Sequence, residues 1–400
     1  KLIPSGNMLF SKKAELFLPN QWPSYFESAK DCFVWDLDGN KLNDLSFAVG
    51  TNTLGYCNSE IDNCVKKAID KGIMTTLNCH EEVEFAEKLI SIHKWSDMIK
   101  LARSGGEANS IAIRISRAAS GKDKVAICGY HGWHDWYLSA NLESDKNLNE
   151  HLLPGLSPIG VPKNLKNNVF PFKYGDIQAL ENLIANHSDI GTIKMEVSRN
   201  TKPDQEFLKK VRILADKNKI VLIFDECTSG FRESFGGIHK MTSVEPDMAV
   251  FGKAVGNGYA ITSVIGRRSV MENAENTFIS STNWTERIGP VAALKTLEIM
   301  EREKSWETLI ERGKQIKNGW STIFSENKIE VSIQGIDPLP NFYFKNKKHL
   351  QFKTYITQEM LKRGYLASNL VYISIAHSES IIKKYLEHFN DVVKKLGKYL

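Results

Sequence analysis

The 400-residue sequence lacks the features that mark membrane, secreted and metal-binding proteins. No apolar run approaches the roughly 20 residues needed to span a bilayer, and the start, K-L-I-P-S-G, has no apolar core like that of a signal peptide. The six cysteines form no C-x-x-C pair, which argues against a zinc site and a disulfide framework. We therefore expect a soluble cytoplasmic protein that enters no membrane and holds no metal.

Positive charge is not concentrated anywhere in the sequence either. The 52 Lys and Arg residues against 47 Asp and Glu residues give a net charge of +5, spread along the chain without a basic block. Nucleic acids and anionic membrane surfaces are usually bound by such blocks, so we expect neither as a partner. With 42% hydrophobic residues, the chain can bury one large core or two that share an interface. A globular enzyme fits these properties.

Strand and helix patterns alternate through the middle of the sequence. Apolar residues at helical spacing run from Ala108 to Ala119, and another helical pattern covers 207–214. Short apolar strands are predicted at 124–128, 192–197, 220–224 and 248–251. The strands recur at about thirty residues, the length of a βαβ unit. The pattern predicts an α/β fold with a mostly parallel central sheet and helices on both faces.

The two ends of the sequence do not show this regular alternation of strand and helix patterns. Near the start, Asp38-Gly39 joins two partly alternating stretches and predicts a hairpin. Beyond about 290, amphipathic helices are predicted at 291–301, 306–324, 352–363 and 380–396, with short strands at 329–333 and 372–376. We expect a large domain at 56–290 and a smaller α+β domain at 291–400, which the segment 1–55 joins.

Polar residues at the ends of the predicted strands are the candidates for chemistry, because ligands of open α/β sheets gather at the carboxyl ends of the strands. Glu196 lies near the end of one strand, Asp225 directly follows another, and Lys253 follows a third after one glycine. An acid and a lysine at neighbouring strand ends can both reach one ligand. At the end of such an apolar strand the Asp225 carboxylate would be partly shielded from water, so we expect it to have a charged partner.

A glycine turn opens the first helix of this region. In Ser104-Gly105-Gly106 the glycines let backbone amides approach an anion at the positive end of the helix. The turn suits a single phosphate, and it is not a nucleotide-binding P-loop because no G-K-[ST] follows. Each feature alone has a structural alternative: Asp225 could cap a helix, Lys253 could be one lysine among many, and the turn could merely be tight.

Together the motifs match a known pattern. The segments S-G-G-E-A from Ser104, Y-H-G-W-H-D from Tyr130, I-F-D-E-C-T-S-G-F-R from Ile223 and F-G-K-A-V-G-N-G from Phe251 resemble the class III aminotransferases in order and spacing. These are pyridoxal-phosphate (PLP) enzymes of fold type I. Within the class the chain is most similar to glutamate-1-semialdehyde aminomutase and its relatives. The likeness extends from I-P-S-G near the start to S-I-A-H-S around Ser374.

The resemblance implies a role for each motif. Lys253 would form the Schiff base with PLP and move the proton between substrate and cofactor, and Asp225 would pair with the pyridine nitrogen. Ser104, Gly105 and Gly106 would bind the cofactor phosphate, although the family commonly has a threonine at the Gly106 position. The other cofactor-binding residues expected are Tyr130 and Cys227 on the two faces of the ring, together with His131 and Glu196.

Thr282 aligns with a threonine that reaches the phosphate of the neighbouring subunit, so the resemblance also implies a homodimer.

Flat aromatic rings suit sugar-like or apolar acceptors, and core packing is their alternative role. The tryptophans in or beside the family's active-site motifs are Trp22, Trp133, Trp136 and Trp284. The arginines that could hold a carboxylate or a phosphate are Arg199, Arg232 and Arg287.

Two departures from the aminomutase bear on the reaction. Its arginine near I-P-S-G is absent, with S-K-K at 11–13, and its acidic residue upstream of S-x-A-H is missing around Asn369. We therefore expect a PLP-dependent aminotransferase that moves an amino group, by a ping-pong Schiff-base mechanism, from an amino-acid donor to a small aldehyde or ketone, including sugar-related ones. The alternatives are an aminomutase, which needs no external donor, and a non-catalytic PLP-fold protein, against which Lys253 and Asp225 argue.

Overall fold

The computed structural model describes residues 2–149, 151, 155–198 and 200–396. Arg199, one of the three arginines named above, lies outside these ranges. The chain divides into two units, a large one formed by Cys64–Leu297 and a smaller one formed by the chain on either side of it. The domain limits expected from the sequence, after 55 and after 290, stay predictions.

Both units contain strands and helices. The strands are β1 Phe26–Lys30, β2 Phe33–Asp36, β3 Lys41–Asp44, β4 Met98–Ala102, β5 Lys124–Cys128, β6 Val169–Pro171, β7 Ile190–Glu196, β8 Val221–Asp225, β9 Met248–Phe251, β10 Thr262–Gly266, β11 Val331–Gln334, β12 Asn341–Phe344 and β13 Tyr365–Leu366. The helices are α1 Phe47–Gly50, α2 Ser59–Asp70, α3 Glu81–Ile92, α4 Gly105–Ser120, α5 Asp135–Leu138, α6 Ile177–Asn186, α7 Gln205–Asn218, α8 Arg268–Met271, α9 Ile288–Glu303, α10 Ser305–Glu326, α11 His349–Leu361 and α12 Glu379–Leu396. Of the helices in the described ranges, none has both the length and the apolar composition that crossing a membrane requires.

The large unit is built on a seven-stranded sheet in the order β4-β10-β9-β8-β7-β5-β6. Strands β9, β8, β7, β5 and β6 all run parallel to one another. Strand β10, which lies between β9 and β4, is antiparallel to both. The predicted mostly parallel sheet is thus confirmed. Strands β5 and β9 begin and end at the predicted residues, and the ends of β7 and β8 differ from prediction by one or two residues.

Helix α4 covers the face of this sheet that carries the candidate site. It begins at a capping box, in which Ser104 Oγ accepts the Glu107 N–H and the Glu107 carboxylate accepts the Ser104 N–H. Its apolar residues, including Ile111, pack against Ile223 and its neighbours in one buried cluster. Because side chains alternate along a strand, Asp225 lies on the same face as Ile223. The candidate carboxylate is therefore on the side of the sheet that α4 covers.

The smaller unit has its own core around α10, α11 and α12, in which Trp320 donates a hydrogen bond to Tyr385 (3.1 Å). The hairpin predicted at Asp38-Gly39 is confirmed as the antiparallel pair β2–β3. The prediction of a strand at 372–376 is wrong, because this stretch forms no strand. The N–H groups of this stretch donate to carbonyls of three separate segments, so it has no single partner strand with which to form a ladder.

Candidate active site

The predicted strand-end residues meet at one edge of the large unit's sheet. Since β5, β7, β8 and β9 are neighbouring and parallel, their carboxyl ends lie along the same edge. Tyr130 and His131 follow β5, Glu196 ends β7, Asp225 ends β8 and Lys253 follows β9. Glu196 and Asp225 are paired in the strand register. The structure thus brings these residues to one edge of the sheet, and their roles toward a cofactor stay predictions.

The Asp225 carboxylate at this edge is buried and is bound by several neighbouring groups. Its side chain is only 3% exposed. One carboxylate oxygen accepts the His131 Nδ1–H (2.8 Å) and lies 3.7 Å from Lys194 Nζ, and the other accepts the Cys227 N–H (3.1 Å). Burial alone would raise the pKa of Asp225, but the Lys194 ammonium and the His131 hydrogen bond hold it well below its usual range. The carboxylate is therefore ionised at neutral pH.

His131 lies fully buried beside Asp225 as a neutral ring. Burial lowers its pKa to about 4, because the charged form would lose its water, and Asp225 opposes this effect only in part. The bond to Asp225 places the proton on Nδ1. The side chain of Asn109 in α4 donates to the His131 carbonyl (3.1 Å), so the helix fixes the backbone that carries the ring. His131 thus donates to Asp225 without adding charge at pH 7.

Lys253 begins a short 3-10 turn, Lys253–Gly256, directly after Gly252. Its backbone is left-handed, with φ of 46°, a conformation that costs a residue with a side chain roughly 1–2 kcal/mol. The Lys253 Nζ donates to Thr228 Oγ1 at 3.0 Å. Since Thr228 lies three residues after Asp225 in the chain, a single loop positions both the candidate amine and the candidate carboxylate.

The Cys227 sulfur lies between the start of α4 and the glycine that precedes Lys253. A Cβ added at Gly105 would lie 3.6 Å from Cys227 Sγ, and one added at Gly252 would lie 3.5 Å from the same sulfur. Burial raises the pKa of the Cys227 thiol, so it stays a neutral, weakly polar group. At Gly106 an added Cβ would lie 3.1 Å from His134 Cε1. The His134 ring therefore fills part of the space that a larger residue at this position would need.

Glu196 anchors the turn after β5. Its carboxylate accepts the Tyr130 N–H at 3.1 Å. Gly129 has a φ of 116°, and a Cβ there would lie 2.5 Å from Glu196 Oε2, so only glycine fits between strand end and carboxylate. This contact gives Glu196 a structural function for the segment that carries Tyr130. Direct contact of either residue with a cofactor stays a prediction.

Thr282 is exposed and lies on a short 3-10 turn, Thr282–Thr285. The turn is tied to the start of α4, because Trp284 Nε1–H donates to the Glu107 carboxylate (3.2 Å) and Arg103 donates to the Trp284 carbonyl (2.9 Å). Glu107 is also the residue that caps α4. The turn with Thr282 and the glycine turn at the helix start are thus held by the same carboxylate.

Three of the four tryptophans lie around this end of α4. Trp133, Trp136 and Trp284 line a surface cavity of about 720 Å³. Trp136 is buried in the core of the unit, whereas Trp133 is 68% exposed. Trp22 belongs to the smaller unit, where its ring stacks on Phe17 with 4.3 Å between centroids.

The two described arginine candidates are engaged within the protein. Arg287 binds the Glu81 carboxylate through Nε (2.9 Å) and Nη2 (2.6 Å). Arg232 is fully buried, and its Nε donates to the Thr228 carbonyl at 2.6 Å. Arg287 therefore ties its segment to the start of α3, and Arg232 bonds within its own loop. Substrate binding by either arginine would require a rearrangement of these bonds.

Sequence reasoning missed Thr228, Asn109 and Lys194. Thr228 and Asn109 gave no signal of their own, because their partners are distant in the sequence. Lys194 did give one: it is the only charged residue before Glu196 in the apolar run I-G-T-I-K-M-E of β7. Alternation along the strand places both on one face, where α4 and Asp225 lie.

The chemistry of this residue set fits PLP, which has an aldehyde, a basic ring nitrogen and a phosphate. Lys253 offers an amine for the aldehyde, and Asp225 offers an ionised carboxylate for the ring nitrogen. The start of α4, with Gly105 and Gly106 in its first turn, offers the positive end of a 16-residue helix for the phosphate.

Known proteins share this sequence pattern and this fold. The sequence model of the family described as aminotransferase class-III matches residues 19–377. The chain is 32% identical to the 3-aminobutyryl-CoA aminotransferase of Cloacimonas acidaminovorans (strain Evry), over 90% of this chain and 84% of that protein. It is 31% identical to the glutamate-1-semialdehyde 2,1-aminomutase of Methanothrix thermoacetophila, over 93% and 90% of the two chains. The structure of an omega-transaminase from Sphaerobacter thermophilus superimposes with a TM-score of 0.87 at 20% identity, over 98% of this chain and 94% of that one.

Proposed function

The chain belongs to the class III aminotransferases, and from this premise we propose that it transfers an amino group from an amino-acid donor to a small aldehyde or ketone, sugar-related carbonyls among them. Its cofactor is pyridoxal 5'-phosphate. The observation that carries the proposal is the loop 225–228, which holds an ionised carboxylate at its start and binds the Lys253 amine at its end.

Each residue of the edge has a distinct function in this reaction. When bound, PLP supplies an aldehyde that takes up the amino group and a ring that accepts the electron pair left on the substrate carbon. The Lys253 amine would take the proton from that carbon and deliver it to the former aldehyde carbon of the cofactor, so that the amino group stays on the cofactor and the donor leaves as a keto acid. The negative charge of Asp225 keeps a proton on the ring nitrogen. The N–H groups at the start of α4 bind the phosphate through Gly105 and Gly106.

The test separates the reaction into its two halves. The holoenzyme is incubated with single amino acids in the absence of any acceptor, and the keto acid released is measured. We expect a good donor to release about one keto acid per subunit, as a ping-pong mechanism requires. Lys253→Ala should release none. Lys124→Ala, which removes a lysine paired with Asp189 at the start of β5, is the matched control and should behave like the wild type.

An aminomutase is the second candidate, because the relatives include glutamate-1-semialdehyde 2,1-aminomutases at 29% and 31% identity. The S-K-K stretch at 11–13 and the residues around Asn369, which differ from that enzyme's pattern, speak for a transaminase. The two reactions differ in whether a donor is needed. If glutamate-1-semialdehyde were isomerised at full rate with no amino acid present and no keto acid formed, the transaminase proposal would be wrong.

A homodimer is part of the proposal, with Thr282 of each subunit binding the phosphate held by the other. Its support is the exposure of Thr282 and of two apolar side chains that line the same cavity, Phe278 (84%) and Trp133 (68%), since a second subunit would cover them. Thr282→Val should raise the dissociation constant of PLP about tenfold or more, because a hydrogen bond to a charged group is lost. Thr354→Val, the same substitution at an exposed position in α11, is the control. A fully active monomer in sedimentation would contradict this part.

A further inference from the structure

Lys194 is a charged side chain in the middle of a buried strand. It lies in β7, paired with Ile223 of β8 and Ile127 of β5, and none of its surface is exposed. Lysines are almost never fully buried unless they are paired, because the ammonium group loses its water. A specific partner must therefore account for its position.

The partner is Asp225. Lys194 Nζ lies 3.7 Å from Asp225 Oδ2, the same oxygen that accepts the His131 hydrogen bond. Within the described part of the chain, no hydrogen-bond acceptor is within reach of the Nζ. Burial lowers the pKa of Lys194, and the Asp225 carboxylate opposes this effect. Glu196, Cys227 and His131 are also near enough to act on Lys194 electrostatically. The Lys194 ammonium group thus faces the Asp225 carboxylate through charge attraction and not through a hydrogen bond.

His131 cannot replace this charge. Its ring is neutral at pH 7, since burial lowers its pKa to about 4, so it supplies a hydrogen bond and no net charge. Without Lys194, Asp225 would keep its hydrogen bonds in a site with little water, and a buried carboxyl in such surroundings tends to take up a proton. A protonated Asp225 could no longer pair as an anion with a protonated ring nitrogen.

We propose that Lys194 is a positioning residue for the amino-transfer reaction: its ammonium group keeps the Asp225 carboxylate ionised and oriented for the ring nitrogen of the cofactor. The proposal rests on the function proposed above, because it needs Asp225 to be the partner of that nitrogen. Lys194 itself touches neither substrate nor cofactor and acts through Asp225.

The first measurement is made on the chain without cofactor. Aspartates are labelled with ¹³C at the carboxyl carbon, and the Asp225 signal is identified by its loss in Asp225→Asn. In the wild type this signal should stay that of a carboxylate down to pH 5. In Lys194→Met, which keeps the volume and removes the charge, Asp225 should protonate at a pH at least about one unit higher than in the wild type. Lys124→Met should leave the signal unchanged.

The second measurement is made on the holoenzyme. With ¹⁵N-labelled PLP, the ring nitrogen should be protonated in the wild type and lose that proton at a lower pH in Lys194→Met. We expect kcat to fall about 10- to 100-fold with KM within about twofold, since substrate binding is not touched. An Asp225 signal that titrates alike in Lys194→Met and wild type would overturn the proposal.

Two further results keep the test decisive. If Lys194→Met does not fold, the ¹⁵N signal of the Lys194 amine is measured in the wild type, and a neutral amine at pH 7 would overturn the proposal while an ammonium signal would support it. If Asp225→Asn turns over at the wild-type rate, the role of Asp225 in the proposed function fails, and the catalytic part of this inference fails with it. The ¹³C titration would still report on the ion pair itself, so the two failures are distinguishable.

Discussion

Acid should destabilise the chain through histidines that are buried as neutral rings, and His377 in the smaller unit is the clearest case. Its Nδ1 accepts the Ser374 N–H (3.1 Å), and its Nε2–H donates to the Asp44 carbonyl (3.0 Å). Both ring nitrogens are therefore used by the neutral form. A second proton would place an N–H against the Ser374 N–H. Burial accordingly lowers the pKa of His377 to about 4.

The direction and size of the effect follow from this pKa. An unfolded histidine has a pKa of about 6.5, so below that pH the unfolded chain binds a proton that the folded chain refuses. The contribution of His377 is fully present above about pH 6.5 and is lost as the pH falls toward 4. At about 1.4 kcal/mol per pKa unit, the loss is about 2 kcal/mol at pH 5. His93 in the large unit, with its pKa lowered to about 3 by burial, should lose a similar amount at that pH.

The assay is urea unfolding of the chain without cofactor, followed by tryptophan fluorescence at pH 7.5 and pH 5. His377→Gln should be less stable than the wild type at pH 7.5, because it loses both ring hydrogen bonds. Its further loss between the two pH values should be smaller than that of the wild type by about 2 kcal/mol. His349→Gln, at an exposed position, is the control and should keep the wild-type difference. If His377→Gln and wild type lost equal stability on acidification, the reasoning would be refuted.

Three other changes test the site and the packing. Lys253→Ala should abolish the attachment of PLP that borohydride makes permanent, and the modified lysine found by mass spectrometry in the wild type should be Lys253. Asp225→Asn should bind PLP but lose roughly several kcal/mol of transition-state stabilisation, visible as a large fall in kcat at similar KM; an unchanged kcat would remove Asp225 from the mechanism. Gly313→Ala should lower the free energy of unfolding by about 3 kcal/mol or more, because the new Cβ would overlap the Asp337 carbonyl. At Gly319 the atoms nearest to a new Cβ belong to the flexible side chain of Leu386, so Gly319→Ala should lower it less. Thermal unfolding measures both.

Much of the large unit could be predicted because its signals are local. An apolar run bounded by polar residues predicted the limits of β5 and β9 to the residue. The position of a polar residue after such a run made Asp225 and Lys253 candidates, and their roles stay predictions. Parallel strands place their carboxyl ends together whatever their order, so the convergence of these two residues did not depend on knowing the topology. The start of α4 at its two glycines was predictable for the same reason, since helix starts have a short-range pattern.

Other features depend on contacts that a linear reading does not contain. Lys194 meets Asp225 only because β7 and β8 are neighbours in one register. The stretch 372–376 has the composition of a strand, but its backbone groups bond to three different segments. The antiparallel strand β10 lies between β9 and β4, an order that alternating patterns do not reveal. In each case a distant part of the chain decides the outcome, and propensity is the weaker influence.

The left-handed backbone at Lys253 sets activity against stability at a single position. With φ of 46°, this site is one that asparagine or glycine would occupy more comfortably than lysine. Lys253→Asn should therefore be inactive and, by thermal unfolding of the chain without cofactor, more stable than the wild type by up to about 1 kcal/mol. Selection for stability alone would remove the lysine, so its presence at a strained turn reflects selection for chemistry.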